Sequence, residues 1–119
     1  MAADFGADAI GLNFYEKSPR FVDAARAASI LRALPPLVDA VGVFVATAPR
    51  DMDAIARDVG LGAIQYFAAD SDLSIAVRRI IAFRVKDAAT LDEITHYLDK
   101  CRAANAMPSA ILIDAHVEG

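Results

Sequence analysis

GADAIGLNFYEKSPRFV, residues 6–22, places an apolar segment of strand length directly before a short polar loop. Residues 8–14 have the character of a buried strand, and the loop that follows carries Lys17 and Arg20. In parallel α/β folds, the loops at the carboxyl ends of the strands hold the ligands. An arginine there can bind a carboxylate or phosphate through two parallel hydrogen bonds. A solvated surface loop is the alternative interpretation of Arg20.

The rest of the chain continues this alternation of strand and helix patterns. Four more apolar segments of strand length lie at residues 38–46, 63–67, 79–85 and 110–114. Helical patterns lie between them at residues 23–34, 49–60 and 90–104, while residues 70–77 have room for only about two helical turns. Thr90 and Glu93 have the spacing of a capping box at the start of the last helix. The order predicts parallel strands with right-handed helical crossovers, in a barrel or an open sheet.

Length and composition set the class of protein. The 119 residues predict a single α/β domain over 1–119, because a complete eight-stranded barrel needs about 250 residues and rarely fewer than about 200. Hydrophobic residues make up 56% of the chain, which suits strands buried on both faces. A net charge of −4 argues against a nucleic-acid partner. The single cysteine, Cys101, fits a reducing cytoplasm, and no apolar run is long enough for a membrane span.

Two further residues are candidates for chemistry. Asp114 ends an apolar strand, where a carboxylate is either catalytic or simply solvated. Arg20 and Asp114 should lie at the same carboxyl edge, because both follow parallel strands. Gln65 lies within a strand, and its amide either meets a ligand or is satisfied in the core. Cys101 is better explained as a small buried hydrophobe. No residues have metal-ligand spacing, and no dinucleotide or Walker motif occurs, so no metal or cofactor is predicted.

Four blocks resemble phosphoribosylanthranilate isomerase of tryptophan biosynthesis. They are GADAIGLNFYEKSPRFV at 6–22, LPPLVDAVGVFV at 34–45, VGLGAIQ at 59–65 and AILIDAHVEG at 110–119. The resemblance implies a partial TIM (β/α)8 barrel, whose five strands match barrel strands two to six. It also implies the Amadori rearrangement of a phosphorylated sugar–anthranilate substrate, without cofactor or metal. Asp114 matches the general acid, Arg20 matches the arginine that holds the anthranilate carboxylate, and Gln65 would line the pocket.

The chain departs from that family in three places. The family's general base is a cysteine in a Lys-aliphatic-Cys-Gly segment, which these residues do not include, and Cys101 lies on the wrong element to replace it. Gln65-Tyr66-Phe67-Ala68 stands where the family has Gln-Leu-His-Gly. The glycine-rich phosphate loop after strand six is also not included. We therefore expect a chain truncated at both ends, weakly active or inactive alone, and a homo-oligomer through exposed strand edges. The alternative is a non-catalytic barrel remnant that binds a ligand or self-associates.

Overall fold

A computed structural model describes residues 9–68 and 72–115 of the chain. The strands in the described part are β1 (Ala9–Asn13), β2 (Asp39–Val43), β3 (Ala63–Phe67), β4 (Arg78–Val85) and β5 (Ala110–Ala115). The helices are α1 (Ala24–Ala33), α2 (Pro49–Val59) and α3 (Ala88–Ala103), together with a 3-10 turn at Asp72–Ser74. None of these described helices is long and apolar enough to cross a membrane.

The five strands form one sheet whose spatial order is the order of the chain. β1 pairs with β2, β2 with β3, β3 with β4 and β4 with β5, and every pair is parallel. The prediction of five parallel strands is therefore confirmed, and in the described part of the chain three of the four connections contain an α-helix. β1 and β5 are the outermost strands of the described sheet, and the carboxyl ends of all five strands meet at one edge.

The two faces of the sheet have different surroundings. The outer face carries the buried core, in which Ile64 and Ile81 of the strands pack in one cluster with Ala27, Met52 and Ile94 of the helices. The inner face is the opposite side of the sheet. The strand register and the alternation of side chains along each strand decide which residues share this face. It consists of Gly11, Asn13, Val41, Val43, Ala63, Gln65, Phe67, Ile80, Ala82, Arg84, Ala110, Leu112 and Asp114. In the described part of the chain, the helices pack on the outer face only, so the inner face remains open.

The start of α3 differs from the prediction. Asp87 is the N-cap, and its Oδ1 accepts hydrogen bonds from the Thr90 backbone N–H at 3.1 Å and from the Thr90 hydroxyl at 3.3 Å. The predicted capping box of Thr90 with Glu93 is therefore wrong, because the helix begins two residues earlier, at Ala88. An aspartate accepts the free N–H groups of a first turn as well as a threonine does, and Asp87 comes first along the chain.

The β3–β4 connection is shorter than the other crossovers. Its described part contains a single 3-10 turn, so the predicted two turns of helix did not form there. Ile75, which follows this turn, is 9% exposed and belongs to the core cluster. An apolar side chain from a short loop thus packs where the neighbouring crossovers use a helix.

Arg79 is a buried arginine at the start of β4, only 4% exposed on the outer face. Its guanidinium donates hydrogen bonds to the phenol oxygen of Tyr97 at 2.9 Å, to that of Tyr66 at 3.5 Å and to the carbonyl oxygen of Ala106. Burial by itself lowers the pKa of Arg79, but the hydrogen bonds and the charge interaction with the two tyrosines raise it above its ordinary value. The arginine therefore stays charged and joins β3, β4, α3 and the loop after α3.

Candidate functional site

The carboxyl edge of the sheet collects the polar residues singled out from the sequence. Arg20 lies in the loop after β1, and Asp114 lies near the end of β5, so both are at this edge as predicted. They are nevertheless on the first and the last described strands. Four strand spacings separate those strands, roughly 19 Å along a flat sheet and less along a curved one. A molecule that touches both side chains must therefore span the inner face.

A tight loop presents Arg20. The Ser18 N–H donates to the Tyr15 carbonyl at 3.0 Å, and the Phe21 N–H donates to the Ser18 carbonyl at 3.1 Å. The Ser18 hydroxyl accepts a hydrogen bond from the Arg20 backbone N–H at 3.1 Å. Two consecutive turns thus fix the backbone at Arg20, while the residue itself is exposed. A guanidinium on such a support loses only side-chain freedom when it binds an anion.

Gln65 is in the middle of the inner face. Its register partners are Val43 on β2 and Ile80 on β4, and it is half-buried between these two apolar neighbours. The sequence left open whether the Gln65 amide faces a pocket or the core. Strand alternation places it on the open face, away from the helix-covered core, so its amide is available to a ligand.

Asp114 is exposed on the inner face and is the register partner of Arg84. Its backbone is held within β5, while its carboxylate points to the side of the sheet that carries Gln65. A carboxyl group placed in this way can reach a ligand that lies on the inner face. It can act there as a proton donor or as a hydrogen-bond acceptor.

Asn13 and Cys101 have structural roles. Asn13 also lies on the inner face, but its Oδ1 accepts a hydrogen bond from the Tyr15 N–H at 2.8 Å, which fixes the end of β1. Cys101 is fully buried on α3 and free of any disulfide, as expected of a small hydrophobe. In the described ranges, no three His, Cys, Asp or Glu residues are close enough to hold a metal ion.

Sequence reasoning did not single out one pair of residues at this edge. The Arg84 guanidinium carbon lies 4.8 Å from the centre of the Phe67 ring, in a cation–π contact between β4 and β3. The rule that selected Asp114, a polar residue at the carboxyl end of a strand, applies equally to Arg84. Phe67 and Ala82 also border a cleft of about 600 Å³, but most of its lining comes from α3, including Asp92, Glu93, His96, Tyr97 and Lys100, so this cleft lies on the helix side of the sheet.

Known proteins resemble the chain in both sequence and structure. N-(5'-phosphoribosyl)anthranilate isomerase of Thiobacillus denitrificans is 40% identical over 121 residues, an alignment that covers 99% of this chain and 56% of the relative. The corresponding protein of Chlorobaculum tepidum is 42% identical over 109 residues, covering 86% of this chain and 49% of the relative. The chain is similar to phosphoribosylanthranilate isomerase. The resemblance found in the four sequence blocks is therefore confirmed, although no protein-family model matches the chain.

Solved structures of phosphoribosylanthranilate isomerase share the fold. The Thermotoga maritima enzyme superposes with a TM-score of 0.77 at 29% identity, covering 97% of this chain and 54% of that one. A phosphoribosylanthranilate isomerase in complex with reduced 1-(o-carboxyphenylamino)-1-deoxyribulose 5-phosphate superposes with a TM-score of 0.75 at 30% identity. The predicted partial TIM barrel is thus confirmed. The chain spans about half the length of the curated relatives and of these two structures.

Proposed function

We propose that this chain carries the part of a phosphoribosylanthranilate isomerase that supplies barrel strands two to six and the general acid. The observation that supports this most directly is the common inner face of Gln65 and Asp114, with Arg20 at the same carboxyl edge. The 119 residues are proposed to form one α/β domain. We also propose a cytoplasmic location, because the single cysteine is a free thiol, as is usual in a reducing compartment.

The proposed reaction is the Amadori rearrangement of N-(5-phosphoribosyl)anthranilate to the carboxyphenylamino-deoxyribulose phosphate. Asp114 gives a proton to the furanose ring oxygen as the ring opens, and a base removes the proton from the second carbon of the sugar. Arg20 binds the carboxylate of the anthranilate through its paired N–H groups. Gln65 gives the pocket a hydrogen-bonding amide among apolar neighbours, which orients the substrate between the two ends of the sheet.

We assign the role of general base to none of the described residues. Cys101 is fully buried on α3, on the helix side of the sheet, and cannot reach a substrate on the inner face. Proton transfer by a positioned side chain contributes about 10²–10⁴-fold to a rate. The 119 residues by themselves are therefore expected to isomerise the substrate weakly or not at all.

Genetic complementation tests this proposal. The chain is expressed in a tryptophan auxotroph that lacks only phosphoribosylanthranilate isomerase, alone and together with a second polypeptide carrying the remaining strands of a relative. We expect no growth, or very slow growth, with the chain alone and restored growth with the pair. Growth with neither, while both polypeptides are soluble, would overturn the proposal. The matched control is the same pair with Asp99→Asn, a surface change on α3.

Self-association is a second candidate property, and the exposure of β5 favours it. Leu112 is 43% exposed on the inner face and Ile113 is 53% exposed on the outer face, so the strand at one edge of the described sheet has apolar side chains on both faces. An edge strand of this kind can pair with another chain unless it is covered. We propose that the isolated chain forms a homo-oligomer through this edge.

Light scattering at increasing protein concentration measures that association. The parent chain is expected to reach at least a dimer, and Leu112→Lys is expected to shift it toward the monomer, because lysine on an edge strand opposes pairing. Leu37→Lys is the matched control, since Leu37 is 99% exposed in the loop before β2. A parent chain that stays monomeric at high concentration contradicts the proposal.

A further inference from the structure

Arg84 has a defined position at the carboxyl edge of the inner face. Its neighbour on one side is β3, where its guanidinium carbon is 4.8 Å from the centre of the Phe67 ring. Its neighbour on the other side is β5, where its register partner is Asp114. Adjacent strands are about 4.8 Å apart, so the guanidinium can turn toward either neighbour. It turns toward the aromatic ring.

While it contacts Phe67, Arg84 forms no ion pair with another described residue. Among residues 9–68 and 72–115, neither Arg84 nor Asp114 has an ion-pair partner within 4.0 Å. A guanidinium over an aromatic ring uses its flat face, and its N–H donors lie in the plane of the group. Those donors can form the bidentate pair that arginine makes with a planar oxyanion.

We propose that Arg84, supported by Phe67, is a second arginine of the site and binds the carboxylate of an aryl carboxylate ligand. The proposal rests on the proposed function and adds to it a residue that the resemblance does not assign. It also gives a role to Phe67. An aromatic ring at this point cannot exchange protons, but it can support a cation and stack on another ring.

The surroundings of Arg84 favour an aryl carboxylate over a sugar phosphate. Apart from Asp114, the inner-face residues next to Arg84 are Phe67, Ala82 and Leu112, which are in register across three strands. Phe67 is 39% exposed and Leu112 is 43% exposed, so this row offers apolar surface on the inner face. An apolar floor beside one cation suits a flat ring that bears a carboxylate, whereas a hydrated sugar phosphate gains little from such a floor.

Binding of anthranilate to the whole chain tests the proposal without any need for turnover. Anthranilate is titrated in ligand-observed NMR against the parent, Arg84→Gln and Arg102→Gln. Loss of a charge-assisted bidentate pair is expected to raise the Kd of Arg84→Gln about 10-fold. Arg102→Gln makes the same change of charge near the far end of α3, where Arg102 pairs with Asp99 at 3.2 Å, and should leave the Kd unchanged. Phe67→Leu should weaken binding about 3-fold, and Phe67→Tyr should not.

A parallel titration with ribose 5-phosphate separates the two kinds of oxyanion. Arg84→Gln should leave ribose 5-phosphate binding unchanged. The proposal is overturned if the parent does not bind anthranilate, if Arg84→Gln binds it as tightly as the parent, or if Arg84→Gln weakens ribose 5-phosphate instead. These outcomes are independent of complementation. Growth together with an Arg84→Gln chain that binds anthranilate as tightly as the parent would reject the role of Arg84 alone, whereas binding weakened by Arg84→Gln without growth would reject the proposed isomerase alone.

Discussion

Arg79→Ala is expected to lower the free energy of unfolding by about 3 kcal/mol, the largest stability effect of any single change proposed for this chain. Arg79 is 4% exposed and donates hydrogen bonds to Tyr66, Tyr97 and the Ala106 carbonyl. Alanine removes these donors and leaves a cavity where the guanidinium and its alkyl stem were packed. Urea-induced unfolding followed by far-UV circular dichroism measures the change.

Two companion variants separate hydrogen bonding from packing at Arg79. Arg79→Met keeps most of the volume and removes the donors, whereas Tyr97→Phe removes one acceptor. If the Arg79–Tyr97 hydrogen bond contributes, the double variant will cost less than the sum of the two single variants, because the Tyr97 oxygen that would have lost its Arg79 donor is then also removed. Arg102→Ala, an exposed arginine on α3, is the control and should change stability by less than about 0.5 kcal/mol. A cost below about 1 kcal/mol for Arg79→Ala would show that the buried guanidinium is not needed for stability.

Asp114→Asn should reduce isomerisation by about 10²–10⁴-fold in any preparation in which the chain, alone or paired, turns over its substrate. Asparagine has nearly the same shape as aspartate but cannot act as a proton-donating acid. Because Asp114 is exposed, the substitution should leave the unfolding free energy almost unchanged. A loss of rate at constant stability would therefore identify a chemical role. Initial rates of product formation and urea unfolding are measured on the same preparations.

Two controls define the result for Asp114. Asp114→Glu keeps the carboxyl group but moves it by one methylene, so part of the rate should return. Asp99→Asn removes a carboxylate on α3 that pairs with Arg102 at 3.2 Å, and it should leave the rate unchanged. An Asp114→Asn protein with more than about a third of the parent rate would contradict the general-acid assignment.

The elements that were predictable from the sequence are those governed by local patterns. The helical pattern over residues 49–60 ends at a glycine, and Gly60 adopts a positive φ of 89° as the C-cap of α2. The carboxyl-edge positions of Arg20 and Asp114 follow from parallel strands, since consecutive strands then end at the same side of the sheet. The face occupied by Gln65 required the register in addition, because a one-residue shift moves a side chain to the opposite face.

The features that could not be predicted depend on partners distant in sequence. Arg78 and Arg79 are adjacent in sequence, yet Arg78 is exposed beside Asp39 at 3.5 Å and Arg79 is buried beneath Tyr97. Nothing local distinguishes the two arginines before the register of β4 is known. The predicted start of α3 was wrong for another reason. Asp87 and Thr90 are both good N-cap residues, and the sequence alone does not show which of them the helix uses. The contact of Arg84 with Phe67 joins two strands and needs the pairing of β3 with β4.

The strands lie side by side in the sheet in the same order in which they occur along the chain. This arrangement has a consequence for synthesis on the ribosome. Each new strand has its pairing partner in the segment made immediately before it, so no strand waits for a distant segment to appear. Loops closed by one crossover are short, and short loops cost less entropy to close and favour rapid folding. The chain can therefore grow its sheet one β–α unit at a time from β1. At each step the strand added most recently is the one whose free edge can pair with the next strand to be made.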